Sequence, residues 1–70
     1  MKKILVTGAS GNVGIQVLRF LLSEGKYDIT ALDLKNSHNV HKLRQFKNRV
    51  EVVYGDINDK NLNDLIEYIV

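Results

Sequence analysis

The sequence predicts an α/β fold with the strand and helix order βαβαβα around a parallel sheet. Two observations lead to this prediction. A short apolar run followed by a helical pattern occurs three times in the 70 residues. The apolar runs also lack the alternation of half-exposed strands, which is typical of parallel strands covered on both faces. Units of about 25 residues that alternate strand and helix form βαβ crossovers, so we expect half of a doubly wound sheet.

The first unit begins with the apolar run Ile4–Val6, which predicts a buried strand. A helix is predicted over Asn12–Glu24, and Gly25 follows at the position of a helix C-cap glycine. Its apolar positions recur at helical spacing: Val13, Val17, Leu18, Leu21 and Leu22.

The second unit begins with a strand over Ile29–Leu32 and continues into a helix that Asn36-Ser37 can cap. We expect its core-facing residues to be Val40, Leu43 and Phe46.

The third unit has a strand closed by Gly55 and a helix that Asp59 can cap. The strand contains Val50, Val52, Val53 and Tyr54. The apolar stripe of the predicted helix contains Leu62, Leu65, Ile66 and Ile69.

The composition is that of one folded domain over residues 1–70, and we expect no second domain. Ile, Leu, Val and Phe make up 25 of the 70 residues, and there is no Pro. The absence of cysteine excludes disulfides and thiolate metal sites. A net charge of +2 is too small for a dedicated nucleic-acid or membrane-surface binder. No apolar run approaches a signal peptide or a membrane span, so we expect a cytoplasmic protein.

Two other groups of side chains are better explained as solvated helix faces. His38 and His41 are three residues apart, but no thiol or carboxylate lies near them in sequence to complete a metal site. The basic residues from Lys42 to Arg49 interleave with apolar positions, as on an amphipathic helix. We therefore predict neither a metal site nor a nucleic-acid surface there.

The segment Thr7–Gly14, between the first strand and the first helix, contains three glycines at intervals of three residues. We expect Gly8 to allow a tight turn where a Cβ would clash. Gly11 lets the backbone approach a pyrophosphate, and Gly14 lets the helix pack close to the sheet. The free N–H groups of the first helical turn would then face the phosphates.

Asp33 follows the second predicted strand, 19 residues after Gly14. An acid at about this distance accepts hydrogen bonds from the ribose hydroxyls of a dinucleotide and repels a 2′-phosphate. Leu34 offers no positive charge to a 2′-phosphate, whereas Lys35 could. The sequence therefore favours NAD over NADP, although Asp33 could also be an ordinary acid at a strand end.

Asp56 ends the third predicted strand, at the edge of the sheet where open α/β folds bind ligands. A carboxylate there can accept from an adenine amino group. A helix-capping or turn acid explains Asp56 equally well.

Thr7–Gly14, Asp33 and Gly55–Ile57 together resemble the N-terminus of an extended short-chain dehydrogenase/reductase of the NAD-dependent epimerase/dehydratase family. The resemblance covers all 70 residues and implies a Rossmann-like sheet with strand order 3-2-1. It also implies that Asp33 holds the adenosine ribose and that Asp56, with the Ile57 backbone, holds the adenine. The implied cofactor-binding residues are Gly8, Gly11, Asn12, Val13, Gly14, Asp33, Leu34, Asp56 and Ile57.

The catalytic pair of that family, Tyr-x-x-x-Lys, has no match in the sequence. Four residues after Tyr27 is Ala31, four after Tyr54 is Asn58, and Tyr68 is too near the C-terminus. The resemblance therefore predicts that the chain alone is inactive and lacks a substrate domain. In the implied sheet, Ile4–Val6 would form an open apolar edge that favours self-association.

Three functions remain open at this point. The first is the NAD-binding segment of an epimerase/dehydratase-like oxidoreductase. The second is a non-catalytic dinucleotide-sensing module, against which Asp33 counts because many such regulators carry an Arg there. The third is a truncated fragment with no activity of its own.

Overall fold

The fold is described here from a computed structural model for residues 2–55 and 68–69. Its elements, in chain order, are β1 (Lys2–Thr7), α1 (Asn12–Glu24), β2 (Tyr27–Asp33), α2 (Ser37–Leu43), a 3₁₀ helix (Arg44–Phe46), β3 (Glu51–Tyr54) and β4 (Tyr68–Ile69). The strands form one sheet in the order β3-β2-β1-β4, and every pairing is parallel. The predicted Rossmann-like α/β fold and the strand order 3-2-1 are confirmed.

β1 is an inner strand rather than an edge. It pairs with β2 from Lys2 to Thr7, and on its other side Ile4 and Leu5 pair with β4. The prediction of an open edge at Ile4 and Leu5 is therefore wrong, because β4 occupies that side. Self-association of the chain stays a prediction.

The predicted third helix falls mostly outside the described residues, as do its proposed cap Asp59 and the apolar positions Leu62, Leu65 and Ile66. Its last predicted apolar position, Ile69, lies in β4 and not in a helix. The reason is local: Tyr68, Ile69 and Val70 are aromatic and β-branched residues, which favour strands.

The core lies between the sheet and the two helices. Alternate residues of β1 and β2 face the helices and are buried: Ile4, Val6, Ile29 and Ala31. The helical layer contributes Ile15, Leu18, Leu21, Leu43 and Phe46. Among the apolar positions of α1, Leu18 and Leu21 are buried and Val13 is exposed, whereas Ile15 also lies on the buried face.

Both predicted helix caps are confirmed. Gly25 ends α1 in the left-handed conformation, with φ +69°, and its N–H donates to the Leu22 carbonyl at 3.2 Å. Asn36 begins α2, where its Oδ1 accepts from the Asn39 N–H at 2.8 Å. The end of β2 lies beside the turn that precedes α1, where the Ala9 N–H donates to the Leu32 carbonyl at 3.3 Å. Among the described residues, no helix has both the length and the apolar character needed to cross a bilayer.

Candidate functional site

The turn between β1 and α1 is tight, and Gly8 sets its shape. Gly8 has φ +59°, and its carbonyl accepts from the Gly11 N–H at 3.1 Å. A Cβ on Gly8 would meet nothing within 4 Å, so the expected steric clash is wrong. A glycine is favoured there because other residues rarely adopt a positive φ.

Gly14 is required by close backbone packing. A Cβ on Gly14 would lie 2.7 Å from the Ala9 Cα, and closer still to the Gly8 carbonyl oxygen. The first turn of α1 therefore packs directly against the backbone of the β1–α1 turn, which fixes the helix N-terminus relative to Gly8.

The N-terminus of α1 is open to a ligand. Its N-cap residue, Gly11, is exposed and has no side chain to cap the first-turn N–H groups. No acidic residue lies in the first turn of α1, a helix described over its whole length. The first-turn N–H groups therefore have no acidic side chain of α1 itself to neutralise their partial positive charge, which favours an anion there.

A cavity of about 340 Å³ lies against this turn. Its lining includes all five residues predicted to surround a pyrophosphate: Gly8, Gly11, Asn12, Val13 and Gly14. A Cβ on Gly11 would lie 3.4 Å from the Gly8 carbonyl oxygen, so the turn itself tolerates one. Glycine at position 11 thus leaves open space beside the backbone, which suits the close approach of a phosphate group.

Asp33, at the end of β2, is hydrogen-bonded to the same turn from the other side. Its Oδ2 accepts from the Ser10 N–H at 3.0 Å and from the Ser10 hydroxyl at 2.5 Å. Its Oδ1 accepts from the Leu34 N–H at 2.8 Å. Asp33, the acid predicted to bind the ribose, is therefore hydrogen-bonded to Ser10. This residue directly precedes Gly11 in the turn that is predicted to bind the pyrophosphate.

The pKa of Asp33 lies below its ordinary value. Burial acts to raise that pKa, but the hydrogen bonds from the Ser10 hydroxyl and from the N–H groups of Ser10 and Leu34 outweigh it. The electrostatic interaction with His38 also lowers the pKa of Asp33. Asp33 is therefore a carboxylate at neutral pH, able to accept further hydrogen bonds.

Asn39 completes the network around Asp33. This buried side chain donates from Nδ2 to the Leu34 carbonyl at 2.8 Å, and its Oδ1 lies 2.6 Å from the Ser10 Oγ. Sequence reasoning missed both Ser10 and Asn39. A signal for Asn39 was present, since it lies four residues before Leu43 on the buried stripe of α2.

The remaining predicted site residues divide into two groups. Val13, in the first turn of α1, and Leu34, directly after Asp33, are exposed apolar side chains, at 77% and 66% of their full accessibility. Asp56 and Ile57 lie outside the described residues. The last described residue before them, Gly55, donates its N–H to the Asp33 carbonyl at 3.1 Å.

The other candidate side chains donate no hydrogen bond to this network, although His38 is close enough to Asp33 to act on its pKa. His38, His41 and the basic residues Lys42, Arg44, Lys47 and Arg49 are all exposed. Within residues 2–55 and 68–69, no group of three or more His, Cys, Asp or Glu side chains is placed to hold a metal ion.

A parallel sheet, a glycine turn leading into a helix N-terminus and an acid at the end of the next strand define a Rossmann-like α/β protein. Residues 4–69 match the model of the NAD dependent epimerase/dehydratase family. The chain belongs to this family, as its resemblance predicted.

Individual relatives agree with this assignment. The chain is 30% identical over 61 residues to the 1,2-dihydroxy-1,2-dihydronaphthalene dehydrogenases of Pseudomonas putida and Pseudomonas sp. (strain C18). That match covers 87% of the chain and only 23% of each dehydrogenase.

A similar fold occurs in the dTDP-glucose 4,6-dehydratase of Bacillus anthracis, solved in complex with NAD. The TM-score is 0.72 at 24% identity, over 91% of the chain and 22% of the dehydratase. At this identity the likeness shows a shared fold. The chain spans less than a quarter of the length of each of these relatives.

Proposed function

We propose that residues 1–70 form the N-terminal, adenosine-binding part of a NAD-binding domain in an epimerase/dehydratase-type oxidoreductase. The observation that carries the proposal is the hydrogen bonding of Asp33 to Ser10, inside the glycine turn. It supports the proposal because the carboxylate that we assign to the ribose is hydrogen-bonded one residue before the helix N-terminus that we assign to the phosphates. A dinucleotide presents these two groups, a ribose and a pyrophosphate, in immediate succession.

The pyrophosphate half of the site uses backbone rather than side chains. The N–H groups at the start of α1 have no acceptor from the Gly11 cap, and the adjoining cavity is lined by the glycine turn. We assign Gly8, Gly11, Asn12, Val13 and Gly14 to this half. The missing side chains at Gly8 and Gly11 leave the backbone accessible to phosphate oxygens.

The ribose half favours NAD over NADP. Asp33 is ionised at neutral pH, so it accepts from the 2′ and 3′ hydroxyls and repels a 2′-phosphate. Leu34 presents an exposed apolar side chain beside it, which offers a phosphate no hydrogen bond. Lys35 is exposed and is the nearest cation in sequence that could favour NADP. Asp56 and Ile57 are assigned to the adenine by family resemblance.

The proposed role of these residues is to bind the cofactor and not to carry out the reaction. Bound NAD supplies hydride transfer at its nicotinamide ring, whereas the residues described here bind and orient its adenosine half. These 70 residues contain no Tyr-x-x-x-Lys pair, so we assign them a role in binding and none in proton transfer. We therefore expect the chain to bind NAD and to show no oxidoreductase or epimerase activity by itself.

Calorimetric titration of the 70-residue chain with NAD and with NADP tests the proposal. We expect measurable binding of NAD and weaker binding of NADP. Binding of neither cofactor would overturn the function. Equal or tighter binding of NADP would overturn the role of Asp33 and leave the pyrophosphate assignment standing.

A further inference from the structure

The Ser10 hydroxyl has one hydrogen and two neighbouring acceptors. Its Oγ lies 2.5 Å from Asp33 Oδ2 and 2.6 Å from Asn39 Oδ1. Asp33 Oδ2 and Asn39 Oδ1 therefore compete for this hydrogen. An amide flip of Asn39 would not remove the competition, because Nδ2 donates to the Leu34 carbonyl, which can only accept. The hydroxyl can therefore satisfy only one of the two oxygens at a time.

The present arrangement leaves Asp33 short of acceptor capacity for a ribose. Each carboxylate oxygen accepts about two hydrogen bonds. Oδ2 already receives both the N–H and the hydroxyl of Ser10, whereas Oδ1 receives only the Leu34 N–H. One position remains free, but the ribose of NAD offers two hydroxyl donors.

We propose that Ser10 is a positioning residue whose hydroxyl donates to Asp33 in the free protein and turns to Asn39 when a ribose hydroxyl takes its place on Oδ2. This inference rests on the proposed NAD site and assigns a role to two residues outside the predicted set. Asn39 is then a second positioning residue, since its Oδ1 receives the displaced hydrogen.

Burial and charge support this exchange. Ser10 and Asn39 are only 7% and 8% exposed, so water has little access to replace a lost partner. A carboxylate is a stronger acceptor than an amide, which places the hydrogen on Asp33 while no ligand competes. The N–H groups of Ser10 and Leu34 belong to the backbone, so they keep the carboxylate oriented while the hydroxyl turns.

The first test needs no ligand and measures the Asp33 pKa by carboxyl NMR in four chains: wild type, Ser10→Ala, Asn39→Ala and the double variant. Ser10→Ala should raise this pKa, because a donor to the carboxylate is lost. Asn39→Ala should lower it, because a protonated Asp33 can then no longer release the hydroxyl to a second acceptor, which makes protonation less favourable. In the Ser10→Ala background, Asn39→Ala should leave the pKa unchanged. If Asn39→Ala shifts the Asp33 pKa equally with and without the Ser10 hydroxyl, or does not shift it at all, then Asp33 and Asn39 do not compete for that hydroxyl.

The second test titrates the same four chains with NAD. Asn39→Ala should weaken NAD binding roughly tenfold. When a ribose hydroxyl replaces the Ser10 hydroxyl on Asp33, the Ser10 hydroxyl then has no buried acceptor to which it can donate. Ser10→Ala removes only Oγ and should stay within about threefold of wild type, as should the double variant, since neither has a hydroxyl hydrogen to displace.

The double variant also controls for folding, because it loses the Asn39 bond to Leu34 just as the single variant does. A double variant as weak as Asn39→Ala, or a tenfold loss in Ser10→Ala, would overturn the exchange. If the wild type binds no NAD, the proposed function fails together with the ligand-driven step. The competition for the hydroxyl is then still decided by the pKa measurements.

Discussion

Gly14 and Gly8 are in backbone contact across the β1–α1 turn, so closely that position 14 has no room for a Cβ. Gly11, between them in sequence, has room for one within the turn. The two glycines that follow Gly8 therefore have different physical roles. Gly14 is needed for the fold, whereas the fold leaves room for a side chain at Gly11, so our proposal is that Gly11 is needed for the ligand.

Gly14→Ala should destabilise the chain, whereas Gly11→Ala should fold and lose NAD binding. Forcing a methyl into packed backbone costs about 1–3 kcal/mol. A domain of this size has only about 3–5 kcal/mol of stability, so the melting temperature of Gly14→Ala should fall markedly.

Gly11→Ala should stay folded and lose less stability than Gly14→Ala, because Ala at an N-cap costs about 1 kcal/mol relative to Gly and its methyl meets no backbone atom closer than 3.4 Å. Its NAD affinity should fall at least tenfold, a loss of about 1.4 kcal/mol, since the methyl occupies phosphate space. Circular dichroism melts and NAD titration check the pair. A Gly11→Ala chain that binds NAD like wild type would refute the phosphate assignment.

Asp33→Ala should weaken NAD binding about tenfold or more, because a charge-assisted hydrogen bond contributes roughly 1.5–3 kcal/mol. The loss for NADP should be smaller, since the repulsion of its 2′-phosphate disappears with the carboxylate. Asp28→Ala is the matched control, because Asp28 is an exposed acid on the same strand, away from the turn. Similar losses in both variants would show a general charge effect instead of a ribose site.

The stabilising effect of Asp33 should disappear in acid. Its pKa is lowered in the folded protein. The stabilisation is therefore complete above the unfolded-state pKa of about 3.9 and is lost as pH falls through the lower folded-state pKa. Urea unfolding of wild type and Asp33→Asn should show a stability difference at pH 6 that shrinks towards pH 2. A difference that is constant or grows in acid would contradict the network around Asp33.

Phe46→Ala should unfold most of the protein. Phe46 is fully buried between the 3₁₀ helix and the sheet, and its truncation costs about 3–5 kcal/mol, comparable to the whole stability expected for this size. Phe20→Ala is the matched control, since Phe20 is 61% exposed, and it should change stability by less than about 1 kcal/mol. Equal effects of the two substitutions in denaturant titrations would show that the core is placed wrongly.

The sequence predicted the elements whose signals are local. The span of α1 follows from the glycine segment before it and Gly25 after it, and α2 begins where Asn36 can cap it. Apolar runs located β1, β2 and β3 to within two residues at each end. These features depend on backbone conformation and on the burial of one face of a helix or strand. Both are determined by residues that lie close together in the sequence.

Features that depend on contacts across the chain were not predictable in the same way. The Ser10–Asp33 bond joins residues 23 positions apart, and the Ser10–Asn39 contact joins residues 29 apart. The pairing of Ile69 with Leu5 was missed because its helical spacing from Leu62 and Leu65 concealed a β-branched run. Spacing alone does not determine which polar groups meet once the strands are aligned.

The most direct test of the NAD site is an amide NMR titration of the 70-residue chain with NAD, which reports on each backbone N–H separately. We expect the largest shifts at the turn and the ribose acid, that is, at Gly8, Gly11, Asn12, Val13, Gly14, Asp33 and Leu34. The amides of Asp28, near the start of β2, and of Lys42, an exposed residue of α2, should not move. Shifts centred elsewhere, or no shifts at saturating NAD, would contradict the proposed NAD site.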